Sequence, residues 1–408
     1  MKVFKDAKII DMCSDPEPKK GNIVVEDSNI VSVNYNDIEI PDRTEEICLA
    51  GKYILPGLIN CHTHLCMTTT LFELEQGIGQ MDDNTISFFA VRNAIKALAS
   101  GVTTIRDVGG QNYIELKLKK FIEAGHIVGP RIYAAGKLIT TTGGHGWKVG
   151  EEADTKDEVE KAIKKQVRAG AFLIKMMISG GVVTESSQPH FLQYDAPILK
   201  RAVEVSHELD RKVAGHIGNE RAFKAALEAG IDCVEHFIPE DEEDLEIMVK
   251  KGIFCVPTMV TYPLWASSAQ RWDAPEYFLT KKKEQNPDHK RNLLANAYKK
   301  GLKMVAGTDA GCPYVPFGHI VDELKIYTEC GFSNYEAIAA ATSLASELIG
   351  ESRIGTIRKG NWADMIVIED NPLGNILALR NPEIIVKGGE IIFQGRPNIY
   401  YNQRECHE

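Results

Sequence analysis

Two histidines, His62 and His64, stand two residues apart in the stretch NCHTHL, at the end of an apolar run typical of a β-strand. Side chains at positions i and i+2 of a strand leave the same face, so we expect the two imidazoles to point to one place. Neutral imidazoles held in this way chelate a divalent metal ion well. Because an isolated HxH pair is a weak indication of such a site, the prediction depends on what other strands supply.

Further candidate ligands occupy the same relative position on other strand-like runs. His216 ends VAGHIG, His236 follows an apolar run in CVEHF, and Asp309 lies in MVAGTDAG. Each residue alone has an ordinary alternative, since buried histidines are often hydrogen-bonded core residues and an aspartate before Ala or Gly often caps a turn. A shared metal site explains their common place at strand ends better than separate coincidences do.

Lys175 interrupts the apolar run AFLIKMMISGG. Burying an ammonium without a partner costs several kcal/mol or removes its proton, and the neutral amine is a nucleophile. By adding carbon dioxide the amine becomes a carbamate, which has the shape and charge of a carboxylate and can bridge two metal ions. The alternative is a lysine whose stem packs while its head reaches solvent. That alternative is the usual case for lysine, but it suits an interior strand end poorly.

The elements that must position these residues recur along the chain. Stretches with helical spacing separate the strand-like runs, and a glycine suited to ending a helix precedes five of the runs: Gly101, Gly170, Gly230, Gly252 and Gly301. Between residues 53 and 310 the chain contains eight such runs: ILPGLINCHTH, VTTIRDVGG, RIYAAGKLIT, AFLIKMMISGG, VAGHIGN, CVEHFI, FCVPTMVTY and MVAGTDAG. This order predicts an α/β fold, a (β/α)8 TIM barrel over residues 53–350. An open doubly wound sheet is the alternative, weakened by the lack of GxGxxG after the first strand.

The two ends of the chain have a different pattern. Residues 1–52 and 351–408 contain short strand-like runs and turns with little helical spacing. Each end alone is too small to bury a good core. We therefore expect them to pair into one small β-sandwich domain beside the barrel.

Composition limits the partners and the compartment. The chain has 408 residues, 44% of them hydrophobic, and a formal net charge of −10. This charge argues against nucleic acid and anionic membrane as partners, because both need clustered Lys and Arg. No run of eighteen apolar residues and no apolar core of a secretory signal occurs, and the nine cysteines are too sparse for a disulfide framework. We expect a reducing, cytoplasmic location.

With its HxH pair, strand lysine, two further histidines and late aspartate, the chain resembles the binuclear amidohydrolase superfamily. The match is closer to the imidazolonepropionase-like branch, which includes metal-dependent dipeptidases and carboxypeptidases often labelled as prolidases. The motifs that carry the resemblance cover nearly the whole chain: LPGLINCHTHL, ASGVTTIRDVGG, TTTGGHG, IKMMISGGV, KVAGHIGNERAFKAALEAGIDCVEH, AGTDAG and IGTIRKGNWADMIVI.

The resemblance implies two divalent metal ions and a hydroxide between them. Zinc is the expected ion, with Mn, Fe and Co as alternatives. The first ion would be held by His62, His64 and Asp309, and the second by His216 and His236, with carboxylated Lys175 as the bridge.

The resemblance also implies catalytic roles. Asp309 would accept the proton of the attacking water and pass it to the leaving amine. His145, in the motif GGHG, would contact the substrate by donating to the oxyanion, although it has the alternative of a turn histidine. Where relatives often have Tyr or His two positions after the fifth-strand histidine, this chain has Gly218. Tyr262 is the candidate substrate contact that replaces it, or a packing residue.

The predicted function is hydrolysis of the amide bond in a dipeptide or N-acyl amino acid, with release of the C-terminal amino acid. We favour basic C-terminal residues, Arg or Lys, because the chain is acidic and loop acids offer countercharges, namely Glu73, Glu75, Glu185 and residues 240–244. Alternatives are a prolidase-like or hydrophobic dipeptidase, a cyclic amidohydrolase resembling imidazolonepropionase, and a non-catalytic scaffold. The resemblance further implies a homo-oligomer.

Overall fold

The computed structural model describes residues 1–13, 16–36, 43–69, 81–268 and 274–395. Over these residues the strands are β1 (Lys2–Ile9), β2 (Lys19–Glu26), β3 (Asn29–Asn34), β4 (Glu45–Cys48), β5 (Tyr53–Pro56), β6 (Leu58–Thr63), β7 (Val102–Asp107), β8 (Arg131–Ala134), β9 (Ile139–Thr140), β10 (Glu151–Glu152), β11 (Leu173–Met177), β12 (Lys212–His216), β13 (Cys233–Glu235), β14 (Phe254–Val256), β15 (Met365–Ile368), β16 (Ile384–Lys387) and β17 (Glu390–Gln394).

The helices over the same residues are α1 (Asp83–Ala99), α2 (Ile114–Glu123), α3 (Lys156–Ala169), α4 (Ala196–Glu208), α5 (Glu220–Ala229), α6 (Glu242–Lys251), α7 (Thr261–Ser268), α8 (Glu276–Lys283), α9 (Pro287–Lys299), α10 (Ile320–Glu329), α11 (Asn334–Ala340) and α12 (Ser343–Ile349), with a 3₁₀ turn at Ile376–Arg380.

Strands from both ends of the chain meet in one sheet. Its order is β17, β16, β15, β5, β1, β2, β3, and β4 pairs with β1. The ends of the chain join where β15 pairs antiparallel with β5, at positions such as Ile366 opposite Leu55. The described strands are hydrogen-bonded as one eight-stranded sheet, and apolar side chains of β1, β2, β15 and β16 share one core. The predicted run 54–64 therefore divides at Gly57, because β5 belongs to this sheet and β6 does not.

The region between the chain ends confirms the predicted α/β fold with parallel strands. One sheet has the order β6, β7, β8, and the other β10, β9, β11, β12, β13, β14, with parallel pairing throughout. Helices α3 to α6 follow or precede successive strands of the larger sheet. The predicted run 131–140 divides into β8 and β9.

Local sequence explains where these helices begin and end. Thr155 caps α3 and, with Glu158, forms a capping box that satisfies backbone N–H groups of the first turn. Gly170, Gly230 and Gly252 end α3, α5 and α6 with φ of 101°, 84° and 67°. Glycine adopts this left-handed conformation without a steric penalty, so the chain can leave each helix and enter the next strand directly.

Backbone hydrogen bonds link the edges of the two parallel sheets. The predicted eighth run, residues 304–311, forms no named strand, but residues 303–306 pair with both β14 and β6. The linking bonds are Phe172 N to Ala134 O (2.8 Å), Cys255 N to Lys303 O, Val305 N to Cys255 O and Cys61 N to Ala306 O (2.9 Å each).

The side chains of β11 alternate between two buried surroundings. Ile174 and Met176 belong to the large apolar cluster that includes helix residues. The side chains of Leu173, Lys175 and Met177, at alternate positions of the strand, lie on the opposite face. Leu173 packs with residues of the other parallel strands, such as Cys61 and Ala214. Lys175 therefore points to the side that the parallel strands share.

Two further sequence predictions concern the whole chain. No helix within the described ranges is long and apolar enough to cross a membrane. The eight cysteines at described positions are all unpaired.

Candidate metal centre and active site

His62, His64 and Asp309 form a group whose ligand atoms all lie within 4.8 Å of one another. The Nε2 atoms of His62 and His64 lie 3.3 Å and 3.2 Å from Asp309 Oδ1. All three residues are buried. Two imidazoles and a carboxylate converging on one point form a donor set suited to a divalent ion.

Asp309 reaches this position through an unusual backbone conformation. Its N–H donates to His62 O at 2.9 Å, which anchors it beside the end of β6. Its φ is 60°, in the left-handed region that aspartate tolerates better than most residues. Burial alone would raise the pKa of its carboxyl, but the imidazoles of His62 and His64 hold that pKa well below its usual range. The carboxylate is therefore available as an anionic ligand.

A buried ion pair behind His62 was not predicted from the sequence. His62 Nδ1 lies 2.7 Å from Glu235 Oε2, and Arg106 Nη2 donates to Glu235 Oε1 at 2.7 Å. Arg106 Nη1 also donates to Cys61 O at 2.6 Å. Burial opposes ionisation of Glu235, yet Arg106 and its other neighbours keep the pKa of this carboxyl well below its usual range. The carboxylate fixes the proton of His62 on Nδ1 and leaves Nε2 free to bind a metal.

His64 is oriented by the backbone of the loop after β7. Its Nδ1 lies 2.9 Å from Gly109 O. Asp107 holds that loop, since its carboxylate accepts from Gly109 N at 3.2 Å and from Leu65 N at 2.6 Å. Nδ1 of His64 is therefore the donor, and Nε2 faces Asp309 as a ligand atom.

His216 and His236 extend the histidine cluster. The His236 ring centroid lies 4.6 Å from that of His62 and 4.7 Å from that of His216. His236 has a φ of 71°, and its Nδ1 lies 2.7 Å from Thr258 Oγ1. Burial lowers the pKa of both His216 and His236 well below the usual value, so both rings are neutral. Neutral imidazoles are the form that binds metal ions.

Lys175 lies on β11 beside β12, where it pairs in register with Ala214, two residues before His216. The residue is 1% exposed, and Nζ has no hydrogen-bond partner. Burial lowers the pKa of its ammonium to about 8. A buried amine without a partner is unfavourable as it stands, which is the condition that modification or a bound ligand would relieve.

His145 is brought to the same cluster from the loop after β9. Its ring centroid lies 4.6 Å from that of His216, and its Nδ1 lies 3.0 Å from Thr184 Oγ1. Thr184 Oγ1 also accepts from Gly146 N at 3.1 Å. Burial lowers the pKa of His145 to about 3, so the ring is neutral. A side chain at Gly181 would overlap the His145 ring, so glycine there makes room for it.

An inner cavity of about 80 Å³ lies against these residues. Tyr262 lines it, with its ring 6.4 Å from that of Trp265, and Gly218 lines it as well. Among the described lining residues, the one carboxylate is that of Asp309. The lining residues are His145, Gly180, Gly181, Val182, Val183, Pro189, His216, Ile217, Gly218, His236, Thr258, Thr261, Tyr262, Trp265, Gln285, Lys290, Asp309 and Cys312.

Of the loop acids predicted to attract a basic substrate, those at described positions do not line this cavity. Glu73 and Glu75 fall outside the described residues. Glu185 lines an adjoining open groove of about 1230 Å³, which shares Val183 with the inner cavity. Residues 240–244 lead into α6, where Asp241 caps the first turn. Acids at a helix start are favoured by the helix dipole, which accounts for this run without a ligand.

Known proteins match this chain over nearly its whole length. A model of the amidohydrolase family matches residues 53–392. Ochratoxinase from Aspergillus niger is 29% identical over 416 aligned positions, covering 93% of this chain and 84% of that protein.

Two solved structures are similar to the whole fold. A Xaa-Pro dipeptidase with methionine bound in its active site is 28% identical, with a TM-score of 0.88, covering 97% of this chain and all of the other. A prolidase in complex with N-methylphosphonate-L-proline is 25% identical, with a TM-score of 0.89, covering 96% and 99% of the two chains.

Proposed function

This chain belongs to the amidohydrolase family, and from that premise we propose that it is a binuclear metal-dependent hydrolase of dipeptides or N-acyl amino acids. The reaction would cleave an amide bond and release the C-terminal amino acid. The observation that carries the proposal is the group of His62, His64 and Asp309 beside two neutral histidines and an unpartnered lysine.

We interpret the two parallel sheets as parts of one (β/α)8 barrel. The backbone bonds between their edges support this interpretation. So does the Arg106 to Glu235 ion pair, which spans from β7 in one sheet to β13 in the other. The TM-scores of 0.88 and 0.89 to solved relatives agree with it. In such a barrel, strand ends converge at one face, where the site would lie.

We propose that these residues would hold two divalent ions, of which the group of His62, His64 and Asp309 supports the first. In the proposal His62, His64 and Asp309 hold the first, His216 and His236 hold the second, and zinc is the ion suited to imidazole and carboxylate donors. The neutral amine of Lys175 would add carbon dioxide and release a proton, giving a carbamate between the ions. When bound, the ions would polarise the scissile carbonyl and lower the pKa of a shared water toward neutrality.

The chain's own groups would handle the protons and the oxyanion. Asp309 would accept the proton of the attacking water and return it to the leaving amine nitrogen. In the proposal the Thr184 hydroxyl donates to Nδ1 of His145 while one of its lone pairs accepts the Gly146 N–H. The remaining proton of the neutral ring then lies on Nε2, from which His145 would donate to the oxyanion.

The size of the two spaces suggests how a substrate is divided between them. In the proposal the C-terminal amino acid would enter at the inner cavity of about 80 Å³, where apolar side chains such as Ile217 and Trp265 form part of the wall. The acyl part would extend into the open groove of about 1230 Å³. The wall favours apolar C-terminal residues. The predicted preference for Arg or Lys keeps one supporting feature, Glu185 in the groove.

A substrate panel tests the proposed function. The zinc-loaded protein is assayed for release of the C-terminal residue from X-Leu, X-Pro, X-Arg and X-Lys dipeptides and their N-acyl counterparts. Release of leucine or proline with higher kcat/KM than arginine or lysine is expected, and the reverse order would support the basic preference. A protein inert on the whole panel but active in a ring-opening assay would instead be a cyclic amidohydrolase.

Metal content separates a hydrolase from a scaffold. Purification with two ions per chain is expected, whereas far less than one ion would favour a non-catalytic role. We further propose that the protein is cytoplasmic, because unpaired cysteines are typical of a reducing compartment. We also propose that it forms a homo-oligomer. Sedimentation of the purified protein measures the number of subunits.

A further inference from the structure

Lys290 lines the inner cavity together with His216, His236 and Asp309. Its ammonium lies 5.2 Å from the ring centroid of Phe237, the residue that follows His236. Within the described part of the chain, Lys290 makes no side-chain hydrogen bond or ion pair. The carboxylate of Glu240 raises the pKa of Lys290, but this carboxylate is already bonded to His289 at 2.8 Å.

Two features of the local structure oppose a positive charge on Lys290, which is half-buried. Lys290 lies in the first turn of α9, which begins after the cap residue Asn286. A cation at the start of a helix is disfavoured, because that end carries the positive pole of the helix dipole. Burial also lowers the pKa of the Lys290 ammonium, so the surroundings disfavour its charge in two ways. An anion bound in the cavity would offset both costs.

We propose that Lys290 binds the α-carboxylate of the substrate's C-terminal amino acid, with the side-chain amide of Gln285 as a second donor. Gln285 lines the same cavity and lies just before α9. This inference rests on the proposed function, because it names the contact that would recognise the leaving amino acid. Every substrate of that reaction carries an α-carboxylate two bonds from the scissile nitrogen, so in a cavity of about 80 Å³ this group cannot lie far from the metal ligands.

The decisive comparison pairs an acid with its amide. N-acetyl-leucine and N-acetyl-leucinamide are assayed for cleavage of the acetyl amide bond by the wild-type protein, Lys290→Gln and Lys290→Met. Loss of a charge-assisted bond predicts a fall of about 10- to 100-fold in kcat/KM for the acid, mostly through KM. For the amide, kcat/KM should change by less than about 3-fold, because the amide has no carboxylate for Lys290 to bind. Equal losses on both substrates would overturn the proposal.

Two further arms identify the carboxylate and provide a readout without turnover. Lys290→Gln should lower kcat/KM by the same factor for N-acetyl-glutamate and N-acetyl-glutamine. A fall in kcat/KM for N-acetyl-glutamate alone would show that Lys290 binds a side-chain carboxylate instead. Calorimetry should show that the product leucine binds the wild type more tightly than leucinamide does. Lys290→Gln should abolish that difference, and Lys290→Arg should keep part of it.

Lys300→Gln is the matched control, because Lys300 lies outside the cavity in a surface pair with Glu242 at 3.2 Å. Lys300→Gln should leave the ratio of kcat/KM for the acid to kcat/KM for the amide as it is in the wild type. The same assays distinguish failure of the proposed function from failure of the role assigned to Lys290. If the wild type cleaves neither substrate, the proposed function fails and this inference with it. If the wild type cleaves the acid and Lys290→Gln keeps its preference for the acid, only the assignment of Lys290 fails.

Discussion

His62 and Glu235 are joined by a 2.7 Å contact between Nδ1 of the imidazole and Oε2 of the carboxylate, although 173 residues separate them in the chain. The other oxygen of Glu235 accepts from Arg106, and Glu235 is completely buried. One carboxylate thus orients a candidate metal ligand and neutralises a buried guanidinium. Removing its charge should therefore affect two measurable properties.

Glu235→Gln should weaken metal binding and destabilise the fold. His62 loses the carboxylate that orients it, which predicts a fall of about 10- to 100-fold in zinc affinity. Arg106 is left buried without its counter-ion, which predicts a loss of about 3–5 kcal/mol in unfolding free energy. Zinc affinity is measured by competition with a chelator, and stability by urea unfolding of the metal-free protein.

The double variant Arg106→Met, Glu235→Gln separates these two effects. It leaves no unpaired charge, so most of the lost stability should return while zinc affinity stays low. Recovery of zinc affinity along with stability would contradict a role of Glu235 in orienting His62.

Lys175→Ala should lose metal and activity together, because the proposed bridge between the ions is removed. Added formate or acetate should restore part of the activity by supplying a carboxylate in the vacated space. Metal content and turnover are measured with and without these anions. Lys212→Ala is the matched control, since Lys212 lies on the adjacent strand β12 and donates to Leu348 O. Full metal binding and turnover in Lys175→Ala would refute the bridge.

His145→Phe should lower kcat by about 100- to 1000-fold, the usual effect of removing an oxyanion donor. Metal content should be unchanged, because His145 is not among the proposed ligands. Thr184→Val should have a smaller effect of the same kind, since it removes only the hydroxyl that orients the ring. Loss of metal in His145→Phe would show that this residue is a ligand instead.

Glu323 should make stability depend on pH. Its buried carboxyl accepts from Met259 N at 3.0 Å and Val260 N at 2.6 Å, and burial raises its pKa from 4.5 to about 8. Between these values the unfolded state has lost the proton that the folded state keeps. The unfolded state then binds fewer protons, so stability falls as pH rises from about 4.5 to about 8.

Glu323→Gln should make this decline less steep. The slope of unfolding free energy against pH should change by up to about 1.4 kcal/mol per pH unit, the value for one proton. Urea unfolding at intervals between pH 5 and pH 8 measures it. Glu329→Gln on the same helix is the control. Arg291 lowers the pKa of Glu329 through a hydrogen bond, so Glu329 stays ionised in both states across this range. An unchanged slope in Glu323→Gln would show that the carboxyl is ionised when folded.

Local pattern in the sequence was enough for much of the fold. Short apolar runs alternating with helical stretches predicted the parallel strands, and glycines such as Gly170 and Gly230 marked helix ends where the left-handed conformation is needed. The HxH spacing predicted that His62 and His64 share a face, and their ligand atoms do lie close together. These inferences succeed because they depend on neighbours within a few residues.

The ion pair of Arg106 and Glu235 required the tertiary structure. Both residues were visible as charges within the apolar runs VTTIRDVGG and CVEHFI, the same signal that singled out Lys175. What the pattern lacks is the partner, since 129 residues separate the two side chains. A charge in a strand shows that a partner is needed, and only the packing of distant strands decides which one it meets.

Lys290 shows the same limit more strongly. It lies in PDHKRNLLANAYK, an ordinary helical stretch in which a lysine predicts a solvent-facing position. The sequence alone determined which strands carry chemical groups and toward which face those groups point. The tertiary structure decided which groups meet, because helix orientation and strand closure are set by contacts between residues far apart in the chain.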